Sequence, residues 1–391
     1  MIAMEEKFMN KLIVCLCFTV VLFTQTSCDK GKGPSGSSSD STAKNVTLGF
    51  LYVGGKDDYG YNQAHAEGAA ALKKIPGVVL YEEENVPETI EAQKTMESMI
   101  NLDGATLMFP VCFGYFDPHI LAMAEKYPDV FFLHCGGLYD STRHPKNIGS
   151  YFGYIDEAVH VSGIVAGHTT KTKKLGFVAA KPIPQVLRNI NAYTLGARSV
   201  DPSITVTVIF TGDWFLPVKE AEAANSLADQ GIDVITGHLN SPKVLIETAE
   251  KRGIYSTGYH TDQSVLAPKG FLTGAVWNWP KLYAEFLKEY QAGKNLSGLH
   301  RAGLKEGVVT VAAYGPAVSD AAKKNADEVR AALMSDEGYV IFKGPLSTNT
   351  GAIILKQGQV LRQRDLALER MDYLVEGVIG TLPAQQAKLS K

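Results

Sequence analysis

Short apolar runs alternate with longer helical stretches along most of this chain. Apolar runs at 46–53, 78–81, 105–109 and 130–134 are predicted strands, and the stretches between them, at 61–74, 90–101 and 118–126, are predicted helices. A long helix rich in small residues follows over 156–170. After Lys171-Thr172-Lys173-Lys174 the rhythm restarts, with strands at 175–180, 204–210 and 234–236 and helices at 184–198, 218–229 and 242–251. Strands separated by helices of this length imply crossover connections and a parallel sheet. The restart marks a second lobe. A strand at 271–276 and an amphipathic helix at 280–290 are read as returning to the first lobe, and the tail, with its Gly-rich run at 343–351, is read mostly as part of the second. The expected architecture is therefore α/β in two lobes, 46–172 plus about 273–307 and 173–272 plus about 308–391.

Unusual aromatic and polar residues cluster just after the apolar runs in both halves. Asp57, Asp58, Tyr61 and Asn62 follow the first run, and Phe113, Gly114, Tyr115 and Asp117 follow the third. Asp213, Trp214 and Phe215 follow TVTVIF, His238, Asn240 and Ser241 follow DVIT, and His260 and Asp262 follow IYSTG. Loops leaving the carboxyl ends of parallel strands form the crevice where ligands sit in open α/β sheets. Two halves decorated at that edge predict a cleft between them.

The amino terminus bears on compartment. Lys7 and Lys11 precede an apolar run from 12 to 23 that is too short to span a bilayer, and Gln25-Thr26-Ser27-Cys28 follows. Residues 1–27 read as a secretory signal, with Cys28 as a lipidated first residue of the mature chain. An ordinary secretory signal is the alternative, because Gln25 stands where leucine is usual. Residues 28–45, rich in Gly, Ser and Lys, cannot bury a core and read as a flexible tether. The formal charge of −3 carries no basic block, which argues against a nucleic-acid partner. Of the five cysteines, Cys112 and Cys135 remain for the lobes. They read as buried free thiols, with a disulfide as the alternative, and offer no metal spacing.

Enzymatic readings find little support. Gly49, Gly54 and Gly55 lack the spacing of a dinucleotide turn, and no phosphate-binding loop of the Walker type occurs. His134 and Cys135 are adjacent on a strand and so point to opposite faces. No cofactor is expected.

The segments DDYGYNQAHAEGA, FGYFDP, YFGYIDEAVHVSGIVAG, KLGFVAAKPIPQVLRNINAYTLGARSVDP and DWFLPVKEAEAANSLADQGIDVITGH together resemble the basic membrane protein family over about residues 46–287. That family comprises substrate-binding lipoproteins of bacterial ABC transporters, similar to the purine nucleoside receptors of spirochaetes. The resemblance implies a type I periplasmic-binding-protein fold: two Rossmann-like lobes joined by hinge strands, with a purine nucleobase or nucleoside held between them. It also implies delivery to an ABC permease by a monomer, and no catalysis. A tethered sensor for a signalling partner shares the fold and is the alternative.

A purine asks for stacking faces and a few oriented polar groups. Tyr61 and Trp214, one from each lobe, are the expected stacking pair, while Phe113, Gly114 and Tyr115 are expected to line the pocket. Asp58 and Asn62 match the family's N-terminal motif, although a Gly, Asp and Asn turn needs no ligand. Asp262 matches a carboxylate that nucleoside receptors aim at ribose. Trp277 stands where those receptors carry lysine, and an indole there would fill ribose space. His238 to Pro242, with a neutral Asn240, resembles a segment of nucleobase-binding members. The departures favour a free, adenine-like nucleobase over a nucleoside.

Overall fold

A computed structural model describes residues 45–336 and 338–382. The expected signal at 1–27, Cys28 and nearly all of the tether lie outside the described residues.

The first elements are β1 (Val46–Leu51), α1 (Tyr61–Leu72), β2 (Val78–Glu83), α2 (Ile90–Asn101), β3 (Leu107–Pro110), α3 (Leu121–Lys126), β4 (Phe131–Cys135) and β5 (Ile148–Gly153). Next come α4 (Asp156–Thr169), β6 (Lys174–Ala179), α5 (Pro184–Val200), β7 (Thr205–Phe210), α6 (Pro217–Asp229), β8 (Val234–His238), α7 (Lys243–Arg252) and β9 (Tyr255–His260). Then follow β10 (Phe271–Trp277), α8 (Trp279–Gln291), β11 (Gly298–Ala302), β12 (Val309–Val311) and α9 (Asp320–Met334).

Two sheets result. The first runs β11-β5-β4-β3-β1-β2 and is parallel throughout. The second runs β12-β10-β9-β8-β6-β7 and ends on a short parallel strand at Val378–Ile379, with only β12 antiparallel. Strands covered on both faces read as continuous apolar runs, and Leu48, Phe50, Leu107, Phe109, Leu175 and Phe177 are fully or almost fully buried. That is why the runs were visible in the sequence.

Two assignments made from the sequence are corrected. The strand at 271–276, read as part of the first lobe, pairs with β9 in the second sheet as β10. Its apolar character suits either sheet, so only the pairing decides. The helix at 156–170, counted with the first lobe, packs as α4 against α5 and β10. Its small residues are the reason: a Cβ on Gly163 would lie 2.2 Å from the Tyr193 carbonyl oxygen, and one on Gly196 would lie 2.2 Å from that of His160. The two helices cross at backbone contact, which no larger residue permits.

The chain passes between the sheets three times: at Tyr154 and Ile155 after β5, at Asn278 after β10, and over 303–308 after β11. Helix α8 then packs on α1 beside the first sheet. Strands β5 and β11, which flank two of these passages, were not anticipated. Gly149, Ser150 and Gly153 interrupt the first of them, and GLHRA carries no apolar run to announce the second.

Candidate functional site

Every parallel sheet ends its strands at a common edge, and here the two carboxyl edges converge on one cavity. From the first sheet come Tyr61 after β1, Cys112 and Phe113 after β3, Cys135 and Gly136 at the end of β4, and Phe152 in β5. From the second come Ile183 and Gln185 after β6 and Trp214 after β7. His238 and Asn240 close β8, Tyr259 and His260 close β9, and Trp277 closes β10. The centre of a water-sized sphere can sweep about 50 Å³ there, several times the roughly 10–15 Å³ that one water requires. Side-chain adjustment on binding has room to start from.

The lobes touch along one rim of this cavity. Tyr61 donates its backbone N–H to the Asn240 carbonyl at 2.7 Å, Ser241 Oγ donates to the Asp58 carbonyl at 2.5 Å, and Gln263 Nε2 donates to the Tyr59 carbonyl at 2.6 Å. Gly60 makes the approach possible, since a Cβ there would stand 2.0 Å from the Asn240 carbonyl oxygen. These bonds join the loop after β1 to the loops after β8 and β9. The geometry is that of a closed cleft.

Among the described residues, the cavity wall contains no Asp, Glu, Lys or Arg. Its histidines are held neutral. Burial alone pushes His238 down to about 3, and burial, assisted by His238, pushes His260 well below the ordinary range. The Cys135 thiol is pushed up to about 12 by burial, and Cys112 well above its usual value by burial and the neighbouring Glu88. Both cysteines are free and buried, in keeping with the reading of unpaired thiols.

Most polar atoms in the wall already have partners. Tyr61 donates its hydroxyl to the Val111 carbonyl at 2.5 Å. Trp277 donates Nε1–H to His260 Nδ1 at 2.9 Å, and His260 in turn donates from Nε2 to the Leu239 carbonyl at 2.9 Å. His260 reaches this position with φ at +81°, a backbone strain that clusters at functional sites. The Trp277 ring stacks on Trp279 with centroids 4.4 Å apart and meets Phe152 edge-on at 5.1 Å. Trp277 therefore shows the cavity an apolar surface. Lys181 Nζ lies 5.4 Å from the Trp214 ring centroid and is paired with Asp213 at 2.8 Å, which braces that indole from outside the cavity. The side-chain amides of Gln185 and Asn240 make no hydrogen bond among the described residues.

Of the eleven residues singled out from the sequence, the fold brings Tyr61, Phe113, Trp214, His238, Asn240 and Trp277 to the cavity wall. The other five lie elsewhere, each for a physical reason. Asp58 accepts from the backbone N–H groups of Gly60, Asn62 and Gln63 and from Asn62 Nδ2, so its carboxylate organises its own loop. Asn62 completes that loop by accepting from Gly54 N–H at 3.3 Å. Gly114 is tied to Glu88, and Tyr115 is a core residue whose hydroxyl donates to the Val86 carbonyl. Asp262 is exposed and caps a turn by accepting from Ser264 N–H at 2.9 Å. Asp117 is extended at φ −122°, ψ 121°, and the helix predicted over 118–126 begins as α3 only at Leu121. Gln185, Phe152, Tyr259 and the two cysteines were missed as wall residues. A shared signal, a position at or just past the carboxyl end of a strand, holds for all but Phe152 and Gln185.

A family model described as ABC transporter substrate-binding protein PnrA-like matches residues 45–341. The chain belongs to that family. A PnrA-like chain with these two sheets has the type I periplasmic-binding-protein fold, and it is similar to a crystal structure of an ABC transporter solute-binding protein from Aeropyrum pernix K1. That similarity has a TM-score of 0.65 at 18% identity, over 78% of this chain and 93% of that one. Among curated relatives, a purine-binding protein of Brucella abortus is 34% identical over 340 residues, covering 86% of this chain and 94% of the relative. A putative ABC transporter glucose-binding protein of Haloferax volcanii is 29% identical, covering 90% of this chain and 84% of the relative. The family and these neighbours are solute-binding proteins, not enzymes.

Proposed function

We propose that this PnrA-like protein captures a purine nucleobase of adenine-like size between its two lobes and delivers it, as a monomer, to an ABC permease. The observation that carries the reading is the chemistry of the wall: uncharged, rich in aromatic rings from both sheets, and supplied with two free side-chain amides, those of Gln185 and Asn240. A flat heterocycle matches such a wall, because ring stacking is worth about 1–3 kcal/mol per base and two or three polar groups suffice to orient it. The purine-binding name of the Brucella relative supports the same class. A sugar, which the haloarchaeal relative's name suggests, asks for hydrogen-bonding groups around its whole rim, and here most wall polar atoms are already engaged.

Base is favoured over nucleoside by Trp277, whose stacked indole occupies the wall where the family's nucleoside receptors place a lysine. One observation favours the nucleoside as a second reading. A more polar recess of about 420 Å³, bordered by Asp58, Glu88 and Ser241, shares Trp214 and Asn240 with the cavity and could take a sugar. Calorimetric titration with adenine, hypoxanthine, guanine and the matching nucleosides separates the two. Bases are expected to bind at least about tenfold more tightly, roughly 1.4 kcal/mol, and tighter nucleosides would overturn the Trp277 reading.

Binding in this scheme shifts an open–closed equilibrium, because only the closed form lets one ligand touch both sheets. The three passages between the sheets are the hinge. Tethering belongs to the proposal too: lipid on Cys28 would hold the lobes at the outer face of the membrane, and a Cys28→Ser protein that stays with the membrane fraction would refute it.

A further inference from the structure

Asn189 lies behind the cavity wall in α5, 1% exposed, and touches two wall residues at once. Its Nδ2 stands 3.0 Å from His238 Nδ1 and 2.9 Å from the Tyr259 hydroxyl, while its Oδ1 is buried with no partner among the described residues. The opposite amide orientation would offer the carbonyl to both neighbours and leave two N–H donors buried and unpaired. Orphaned buried N–H groups are rarer than under-satisfied carbonyls, so the observed orientation is the better satisfied one. With the amide donating, His238 Nδ1 must be an acceptor, and the imidazole proton is on Nε2. The Tyr259 hydroxyl lies 3.4 Å from Nε2, too long for a strong bond, and His238 lines the cavity.

The geometry points to Asn189 as a positioning residue that locks His238 as an N–H donor into the cavity, so that the site selects ligands presenting a hydrogen-bond acceptor at that point. For a purine base the acceptor is a ring nitrogen or, in an oxopurine, a carbonyl oxygen. This rests on the reading that the cavity holds a base, and it adds which edge of that base is read.

Two measurements test it. The first needs no ligand: nitrogen-15 chemical shifts of His238 in the full protein, assigned by loss of its signals in His238→Gln, are expected to show Nε2 protonated and Nδ1 bare. In Asn189→Asp, whose carboxylate can only accept, the proton is expected to move to Nδ1. A protonated Nδ1 in the unaltered protein overturns the inference. The second compares adenine with 1-, 3- and 7-deazaadenine. One deaza analogue is expected to bind at least about tenfold more weakly, the scale of a hydrogen bond lost with its donor left buried, and Asn189→Asp is expected to erase that difference. Equal binding of all four overturns the inference, as does a penalty that survives in Asn189→Asp. If no base binds while the tautomer is as stated, the proposed function fails and the assignment of His238 stands.

Discussion

The two walls of the cleft use polar residues in opposite ways. On the first lobe, the loop between β1 and α1 carries a cluster of polar residues, yet Asp58 and Asn62 spend their hydrogen bonds on that loop. On the second lobe, polar residues are spread over several strand ends and the start of α5, and the side-chain amides of Gln185 and Asn240 stay free at the cavity wall. The difference follows from backbone demand. A tight loop has several N–H groups with no partner in a ladder, so a nearby carboxylate is recruited to satisfy them. A residue one step past a strand has neighbours that are already paired, which leaves its side chain available.

Acid should produce the largest effect, because it tests both walls at once. His65 and His134 on the first lobe, His160 on α4, and His238 and His260 on the second lobe all have pKa values lowered by burial, His134 and His160 to about 4 and His238 to about 3. As pH falls below about 6.5 the unfolded chain takes up protons that the folded chain refuses, so stability drops until the folded values are passed. By pH 5 the loss is about 2 kcal/mol for each such histidine. Glu157 works the other way: burial raises it to about 8, so its contribution to stability is complete near pH 4.5 and is lost as pH rises toward 8. Five histidines outweigh it, and urea unfolding midpoints are expected to fall steadily from pH 7 to pH 5. Unchanged midpoints would mean that these imidazoles are not excluded from water.

Asp58→Ala comes next and separates the walls. Removing a carboxylate that serves four donors should cost about 2–4 kcal/mol of unfolding free energy, read by chemical denaturation. If base affinity collapses while stability holds, Asp58 touches ligand and the contrast between the walls is wrong. Trp214→Ala should do the reverse, weakening base binding by about 1–3 kcal/mol with a smaller change in stability, because Trp214 is only partly buried at a strand end. Calorimetry on the folded variant measures it.

The pattern of apolar runs told a great deal. Eight of the strands and most of the helices follow from it, as does the gathering of functional residues at strand ends, since burial on both faces writes an uninterrupted apolar word. Strands β5 and β11 escaped because glycine, serine and histidine break that word. The site was legible in part. Trp214 and His238 reach the cavity from the strand ends where their spacing put them, and Trp277 from the position the resemblance singled out, whereas Tyr115 turned into the core and Asp262 out to solvent. Polarity along a loop says that hydrogen bonds are made, not with whom.

The amino-acid sequence by itself determined the class of architecture, the family and the aromatic character of the cleft, because composition and periodicity are local properties; that the wall carries no carboxylate was decided by the fold. Only the tertiary structure decided which sheet received Phe271–Trp277, that Trp277 gives its indole N–H to His260, and that Asn189, far from any strand end, stands behind His238. Those are relations between residues 15 to 49 positions apart in the chain. Such pairings depend on which segments the fold presses together, and no local pattern carries that information.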